Sequence, residues 1–352
     1  MLELPPLRTA RQRVAVASLA MVIASMSACS SGGAAAGSST TVTFISWGGS
    51  YQEAETKAWI DPFQQESGVH VIQDSPTDYS KLRTMVEARR VSWDVVDVEG
   101  DFGLAADAKY LEPIDYGVVD QAKILPGLAS KYRVGIELYS VVLGYNTTAL
   151  NGRVPQGWAD FFDMNKFPCK RAVQKKASSG ILEIALLAQG VAPAQIYPID
   201  VNPALNEMDK IKDSIVWWDT GSQAQELLAS GEVCMAAIFN GRAYAAKTSD
   251  QAPVAVNWTN QVLSADYLVV PKGSPHRESA MKLIAYIISP GPQSRLSDYI
   301  TYAPINSDAS PNPVVAQDLP TTHLEGSVRF DDAWWEQNFS AVDQRFQAWL
   351  LG

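Results

Sequence analysis

Short apolar runs alternate with longer stretches whose apolar residues recur at helical spacing, through most of the chain after residue 41. Val42-Thr43-Phe44-Ile45-Ser46-Trp47 is β-branched and aromatic and stops at Gly48-Gly49, which predicts a buried strand ending in a glycine turn. Tyr51 to Ser67, with Ala54, Ala58, Trp59 and Phe63 apolar, predicts a helix, and Val69 to Ile72 a second strand that completes a βαβ unit. The alternation continues with a helix over Tyr79 to Arg90, a strand over Trp93 to Val98, a helix over Asp101 to Tyr110 and a strand over Ser140 to Asn146. Beyond the turn-rich Asn151 to Gln156, helices are expected near Gly180 to Gln189, Pro203 to Lys212 and Ser222 to Ala229, with a strand at Val233 to Phe239. Tyr267 to Val270 reads as a strand, Pro271-Lys272-Gly273 as a turn, Arg277 to Ile288 as a helix, and Asp331 to Leu351 as a C-terminal helix. This pattern predicts an α/β fold whose mostly parallel sheet is covered by helices on both faces.

The first residues read differently. Arg8, Arg11 and Arg13 precede an apolar stretch from Val14 to Met26, too short for a stable membrane span and of signal-peptide length. It ends in Met26-Ser27-Ala28-Cys29, which resembles a bacterial lipobox, so Cys29 is the expected lipidation site; the alternative is an ordinary small-residue cleavage site with an incidental cysteine. The uncharged Ser/Gly/Ala-rich Ser30 to Thr41 has the composition of a flexible tether. Residues 1–28 are thus expected to be a signal peptide and 29–41 the anchored tether of an extracytoplasmic protein.

Composition narrows the chemistry. At 352 residues with 47% hydrophobic and 19% charged residues, the chain has core enough for two lobes. A net charge of −10 with no basic run after the first residues argues against nucleic acid as a partner. Cys169 and Cys234 make an even pair in an oxidising compartment, either a disulfide or two buried thiols. His70, His276 and His323 are scattered and give no metal-ligand spacing, and no nucleophile elbow, P-loop or complete dinucleotide fingerprint occurs. No cofactor is expected.

Three strand ends carry groups suited to binding: Ser46-Trp47-Gly48-Gly49-Ser50-Tyr51, then Asp97 with Glu99 and Asp101, then Asn240-Gly241-Arg242. In open α/β sheets ligands lie beyond the carboxyl ends of strands, so these could share one cleft. The guanidinium of Arg242 suits a carboxylate, or a salt bridge between or within lobes.

Six segments taken in order, Phe44 to Tyr51, Trp93 to Val96, Leu143 to Asn146, Phe239 to Arg242, Asp266 to Gly273 and Tyr302 to Asn306, resemble the spermidine/putrescine-type family of ABC-importer binding proteins. The resemblance implies two α/β lobes closing over a ligand: residues 42–146 with 267–307, residues 147–266, and a C-terminal segment 308–352 that braces the lobes. It implies a ligand amine held by Asp266, with Trp47 and Tyr51 in the first aromatic loop and Glu99 and Asp101 in the second ligand loop. Two departures stand out. Ser264 occupies the place of a tryptophan common in polyamine binders, and Ser178-Ser179-Gly180 the place of acidic residues. The expected function is therefore capture of a small amine of the putrescine or spermidine kind, by a monomer that hands it to an ABC permease. With Arg242 and Asp266 together, a zwitterion such as γ-aminobutyrate or another amino acid is the alternative. A hydrolase using Asp97, Glu99 or Asp101 is the rival from another class, and a ferric-iron binder or chemoreceptor co-ligand are binding rivals.

Overall fold

Residues 41–352 are described in a computed structural model; the expected signal peptide, Cys29 and all of the tether except Thr41 lie outside the described residues. The strands are β1 (Thr41–Ile45), β2 (His70–Asp74), β3 (Val95–Val98), β4 (Val134–Asn146), β5 (Arg171–Gln174), β6 (Ile215–Trp218), β7 (Met235–Phe239), β8 (Val254–Val269) and β9 (Val328–Arg329). The α-helices are α1 (Gly49–Glu55), α2 (Asp61–Ser67), α3 (Tyr79–Glu87), α4 (Trp158–Phe162), α5 (Ile181–Ala188), α6 (Val201–Asp209), α7 (Gly221–Ala229), α8 (Asn240–Thr248), α9 (Arg277–Ile287), α10 (Pro290–Leu296) and α11 (Asp332–Leu351).

The strands form one mixed sheet in the order β2-β1-β3-β8-β4-β7-β5-β6, with β9 added beside β8. Parallel pairing joins β2, β1 and β3 at one end and β7, β5 and β6 at the other. The antiparallel pair β4 and β8 joins the halves. These two strands, of 13 and 16 residues, are each long enough to serve both halves. One apolar core takes β4 residues up to Tyr139 and β8 residues from Leu263 onward. The cores on the other side take Val141 onward and residues up to Val262. The cores therefore part where Ser140 faces Leu263, inside the paired strands and before the turn at 151–156, and a register shift between Val141 and Leu143 falls next to that point. Such bulges bend a strand locally, which suits a hinge.

The C-terminal segment makes a third crossing between halves, where two were expected. Phe330, Trp335, Val342 and Phe346 pack into the second core, while Asp332 pairs with Arg133 at 2.5 Å and accepts the Tyr267 hydroxyl at 2.7 Å. The same Arg133 donates to the carbonyls of Gly100 and Phe102, both at 2.7 Å. Those bonds hold residues 99–104 as an irregular loop, so the helix expected over Asp101 to Tyr110 shrinks to a 3₁₀ turn at Ala105–Tyr110. The strand expected at Tyr267 to Val270 is the end of β8, whose first half is partly exposed and polar. Two parallel strands escaped the sequence pattern. In β5 a fully buried Arg171, satisfied by the Phe161 carbonyl at 2.8 Å, interrupts the apolar run, and β6 is four residues long.

Cys169 and Cys234 form a disulfide across a separation of 65 residues, stapling the chain just before β5 to the start of β7. Replacing both with alanine is expected to cost about 2–4 kcal/mol in urea unfolding, through the larger entropy of the unfolded chain. An unchanged midpoint would show that the bridge contributes nothing to stability.

Candidate ligand-binding site

The carboxyl ends of the strands meet over a cleft between the halves. From β1 the chain reaches Trp47, turns at Gly48 and Gly49 with φ of 72° and 58°, and enters α1, which carries Tyr51. A Cβ on Gly49 would lie 2.1 Å from the Ser222 hydroxyl, so only glycine allows this approach of the two lobes. Glu99 follows β3, Asp266 lies within β8, and Arg242 sits in the first turn of α8. Trp47, Tyr51, Glu99, Arg242 and Asp266, all named from the sequence, line one cavity with about 20 Å³ open to the centre of a water molecule.

Its walls include residues that sequence reasoning missed: Tyr139, Gln174, Asp219, Thr220, Gly221, Phe239 and Tyr302. Tyr302 stood within a recognised segment, and Thr220 caps α7 through a readable Thr-x-x-Gln box with Gln223. Tyr139 and Gln174 carried no such signal. The rings of Tyr51 and Tyr302 meet edge to face at 5.3 Å and those of Tyr139 and Phe239 at 5.0 Å, giving an aromatic surround of the kind that attracts a cation.

Arg242 is 2% exposed and has no carboxylate bound to it. Its Nη2 donates to the Gly48 carbonyl at 2.9 Å and its Nη1 to the Ser50 hydroxyl at 3.0 Å, both across the cleft. Nε is buried without a hydrogen-bond partner. A Cβ on Gly221 would come within 2.7 Å of Nε, so glycine there leaves the guanidinium edge open at the start of α7. Gly48 and Ser50, expected as ligand contacts, thus hold the arginine instead of lining the cavity. Opposite, Asp266 is buried and one of its oxygens is likewise unpartnered. Burial, reinforced by Asp97 and Glu137, holds its carboxyl well above the ordinary range.

Behind the cavity lie three fully buried acids, Glu55, Asp97 and Glu137. The Ser46 hydroxyl bonds Glu55 and lies 3.4 Å from Asp97, and the Tyr51 hydroxyl donates to Glu137 at 2.7 Å. Burial pushes Asp97 up to about 8, and burial with the Asp97 charge raises Glu55 and Glu137. Raised in this way, the three acids put less negative charge behind the site than ordinary carboxylates would.

Two expected contacts have other duties. Asp101 does not reach the cavity: it accepts Ser178 Oγ at 2.7 Å and pairs with Lys176 at 2.8 Å. Lys176 also binds Glu99, and although burial lowers its basicity, Asp101 and Glu99 outweigh that and hold it above the ordinary lysine value. This lysine from beyond β5 clasps the loop beyond β3. Asn240 is also absent from the cavity. Its Oδ1 accepts the Ser140 N–H at 2.9 Å and its Nδ2 donates to the Thr301 carbonyl at 2.6 Å, bracing β4 where the cores part. Among the described residues no group of three or more His, Cys, Asp and Glu is placed to hold a metal ion.

The buried acids set a pH dependence. Each keeps a proton in the folded state that it loses in the unfolded chain near pH 4, so folding stability falls as pH rises from about 4 toward the raised value, and levels off above it. For Asp97 that upper limit is about 8. The melting temperature without added ligand is expected to drop between pH 5 and pH 8, and Asp97→Asn to flatten part of the slope. A melting temperature that rises across that window would contradict the burial assignment.

Residues 58–321 match a family model described as bacterial extracellular solute-binding protein. The chain is 35% identical over 333 residues to the γ-aminobutyric acid-binding protein of Pseudomonas aeruginosa, covering 90% of this chain and 92% of that one. To spermidine/putrescine-binding periplasmic protein 1 of Haemophilus influenzae it is 26% identical, covering 78% of each. Among solved structures it is similar to a GABA receptor, with 40% identity, a TM-score of 0.80 and coverage of 88% and 98% of the two chains. It is also similar to the periplasmic binding protein AgtB of A. tumefaciens R10 in complex with agropinic acid, with 34% identity, a TM-score of 0.83 and coverage of 89% and 99%. These are binding proteins, not enzymes, and proteins of this kind take up small ligands outside the cytoplasm for ABC permeases. No helix among the described residues is long and apolar enough to cross a membrane. The two-lobed α/β sheet and the match over residues 58–321 agree: the chain belongs to the bacterial extracellular solute-binding proteins.

Proposed function

We propose that this substrate-binding protein captures a small ω-amino acid of the γ-aminobutyrate class and presents it, enclosed between the lobes, to an ABC permease. One observation carries the reading: a buried arginine without a carboxylate and a buried aspartate with a free oxygen face the same small cavity. A ligand carboxylate supplies the missing partner of Arg242, and its ammonium restores the charge of Asp266 within the aromatic surround. Relatives named for γ-aminobutyrate support the same class. Because Arg242 belongs to one lobe and Gly48 and Ser50 to the other, a ligand held there favours the closed form by differential affinity.

A diamine is the second reading, favoured by Glu99 and Asp219 at the cavity wall and by relatives named for spermidine and putrescine. It ranks below the zwitterion because Lys176 already neutralises Glu99 and Arg242 repels a second ammonium. We also propose that Cys29 is lipidated and tethers the protein outside the cytoplasm.

Calorimetric titration is expected to show γ-aminobutyrate binding tighter than putrescine or spermidine. Arg242→Ala should weaken γ-aminobutyrate on the order of a hundredfold or more, and Asp266→Asn should do likewise. Under the diamine reading, Arg242→Ala would instead leave putrescine unchanged or improve it, and wild-type preference for putrescine would overturn the zwitterion. For the anchor, labelled fatty acid should enter the protein and be lost in Cys29→Ala; label that persists would refute it.

A further inference from the structure

A second chamber lies beside the ligand cavity along the seam between the lobes. The two share Glu99, Tyr139, Gln174 and Phe239 as a common wall. The second chamber has about 10 Å³ open to the centre of a water molecule, room for one group of that size. The rest of its lining is Ser178-Ser179-Gly180, leading into α5, with Ser264 of β8 and the apolar Val141, Val262 and Phe330.

These are the positions at which the chain departs from the polyamine pattern, and their polar groups are not used up. The side chain of Gln174, 9% exposed, makes no hydrogen bond to any of the described residues, although it borders both chambers. Ser179 Oγ is buried without a partner. The eight-residue helix α5 begins at Gly180 with no side-chain cap, which leaves first-turn N–H groups for an acceptor. Ser178 is occupied by Asp101, while Ser264 stands opposite Tyr139 in the β4–β8 pair.

Charge selects the kind of group. A helix N-terminus disfavours a second ammonium, while no basic side chain lines the chamber to pair with a second carboxylate. A methyl group would leave the buried Ser179 hydroxyl without a partner, a loss worth roughly tenfold in affinity.

We infer that the second chamber is a specificity subsite for a hydroxyl group branching from the ligand, so that the substrate class is hydroxylated ω-amino acids alongside the unsubstituted parent. This rests on the zwitterion reading above. The chamber has no room for a sugar-sized substituent while the lobes are closed as here.

The test is titration of the full protein with γ-aminobutyrate and with each enantiomer of 4-amino-3-hydroxybutyrate and 4-amino-2-hydroxybutyrate. At least one hydroxylated isomer is expected to bind within threefold of the parent or tighter. Ser179→Leu, which fills the chamber, should weaken that isomer about tenfold or more while γ-aminobutyrate stays within threefold. Ser179→Ala, which removes only the hydroxyl, should weaken it severalfold and guards against misfolding of the bulkier variant. If γ-aminobutyrate binds but every hydroxylated isomer is at least tenfold weaker, or if both ligands weaken equally in Ser179→Leu and neither responds to Ser179→Ala, the subsite is refuted. If γ-aminobutyrate itself does not bind, the zwitterion reading fails and the subsite falls with it.

Discussion

A guanidinium buried without a carboxylate is the constraint around which the rest of the site is arranged. An ion removed from water costs several kcal/mol even after the protein relaxes, unless it is paired and hydrogen-bonded. Arg242 recovers part of that through the Gly48 carbonyl and Ser50 hydroxyl, which belong to the opposite lobe. Closing the lobes therefore exchanges water for two neutral acceptors at the arginine, and Nε remains unpartnered. On the proposed reading, the ligand carboxylate completes the exchange. The glycines at 48, 49 and 221 follow from the same need, since the turn and the close approaches leave no space for side chains.

The acids are arranged so that this cation is not neutralised from within. Four carboxyl groups, on Glu55, Asp97, Glu137 and Asp266, are buried near one another, and mutual repulsion with burial keeps them from ionising together. Glu99 and Asp101 are spent on Lys176. What faces the cavity is one uncompensated cation and one aspartate whose charge is suppressed until a cation arrives. The clasp and the site thereby divide the acids between them: one set fixes lobe to lobe, the other answers to the ligand.

Much of this was legible in the chain. The βαβ alternation fixed the fold class, and Trp47, Tyr51, Glu99, Arg242 and Asp266 were found as a group because strand ends and ordered motifs both point to them. What escaped were roles set by contacts distant in sequence. Asn240 looks like a cleft residue, but its amide meets Ser140 and Thr301, 100 and 61 residues away. Asp101 looks like a ligand carboxylate, and only the closed structure reveals Lys176 beside it, 75 residues along the chain. The division of the cores inside β4 and β8 has no such signal, because both strands continue unbroken through the two halves.

That hinge and the charge arrangement together support the proposed zwitterion over a diamine. A cleft closing on β4 and β8 brings Arg242 to a fixed place against the first lobe, so every enclosed ligand must coexist with its charge. Two like charges about 4 Å apart repel by about 4 kcal/mol at the effective dielectric of a partly buried pair, close to a thousandfold in affinity. The same distance with opposite charges attracts by as much, before desolvation is subtracted. A diamine could recover that loss only by drawing a second ionised acid to its far ammonium. Of the two acids beyond Asp266 at the wall, Glu99 is bound to Lys176 and Asp219 is exposed to water, where its attraction is screened. On the proposed reading the difference is large enough that chain length and hydrogen bonding act as corrections to it.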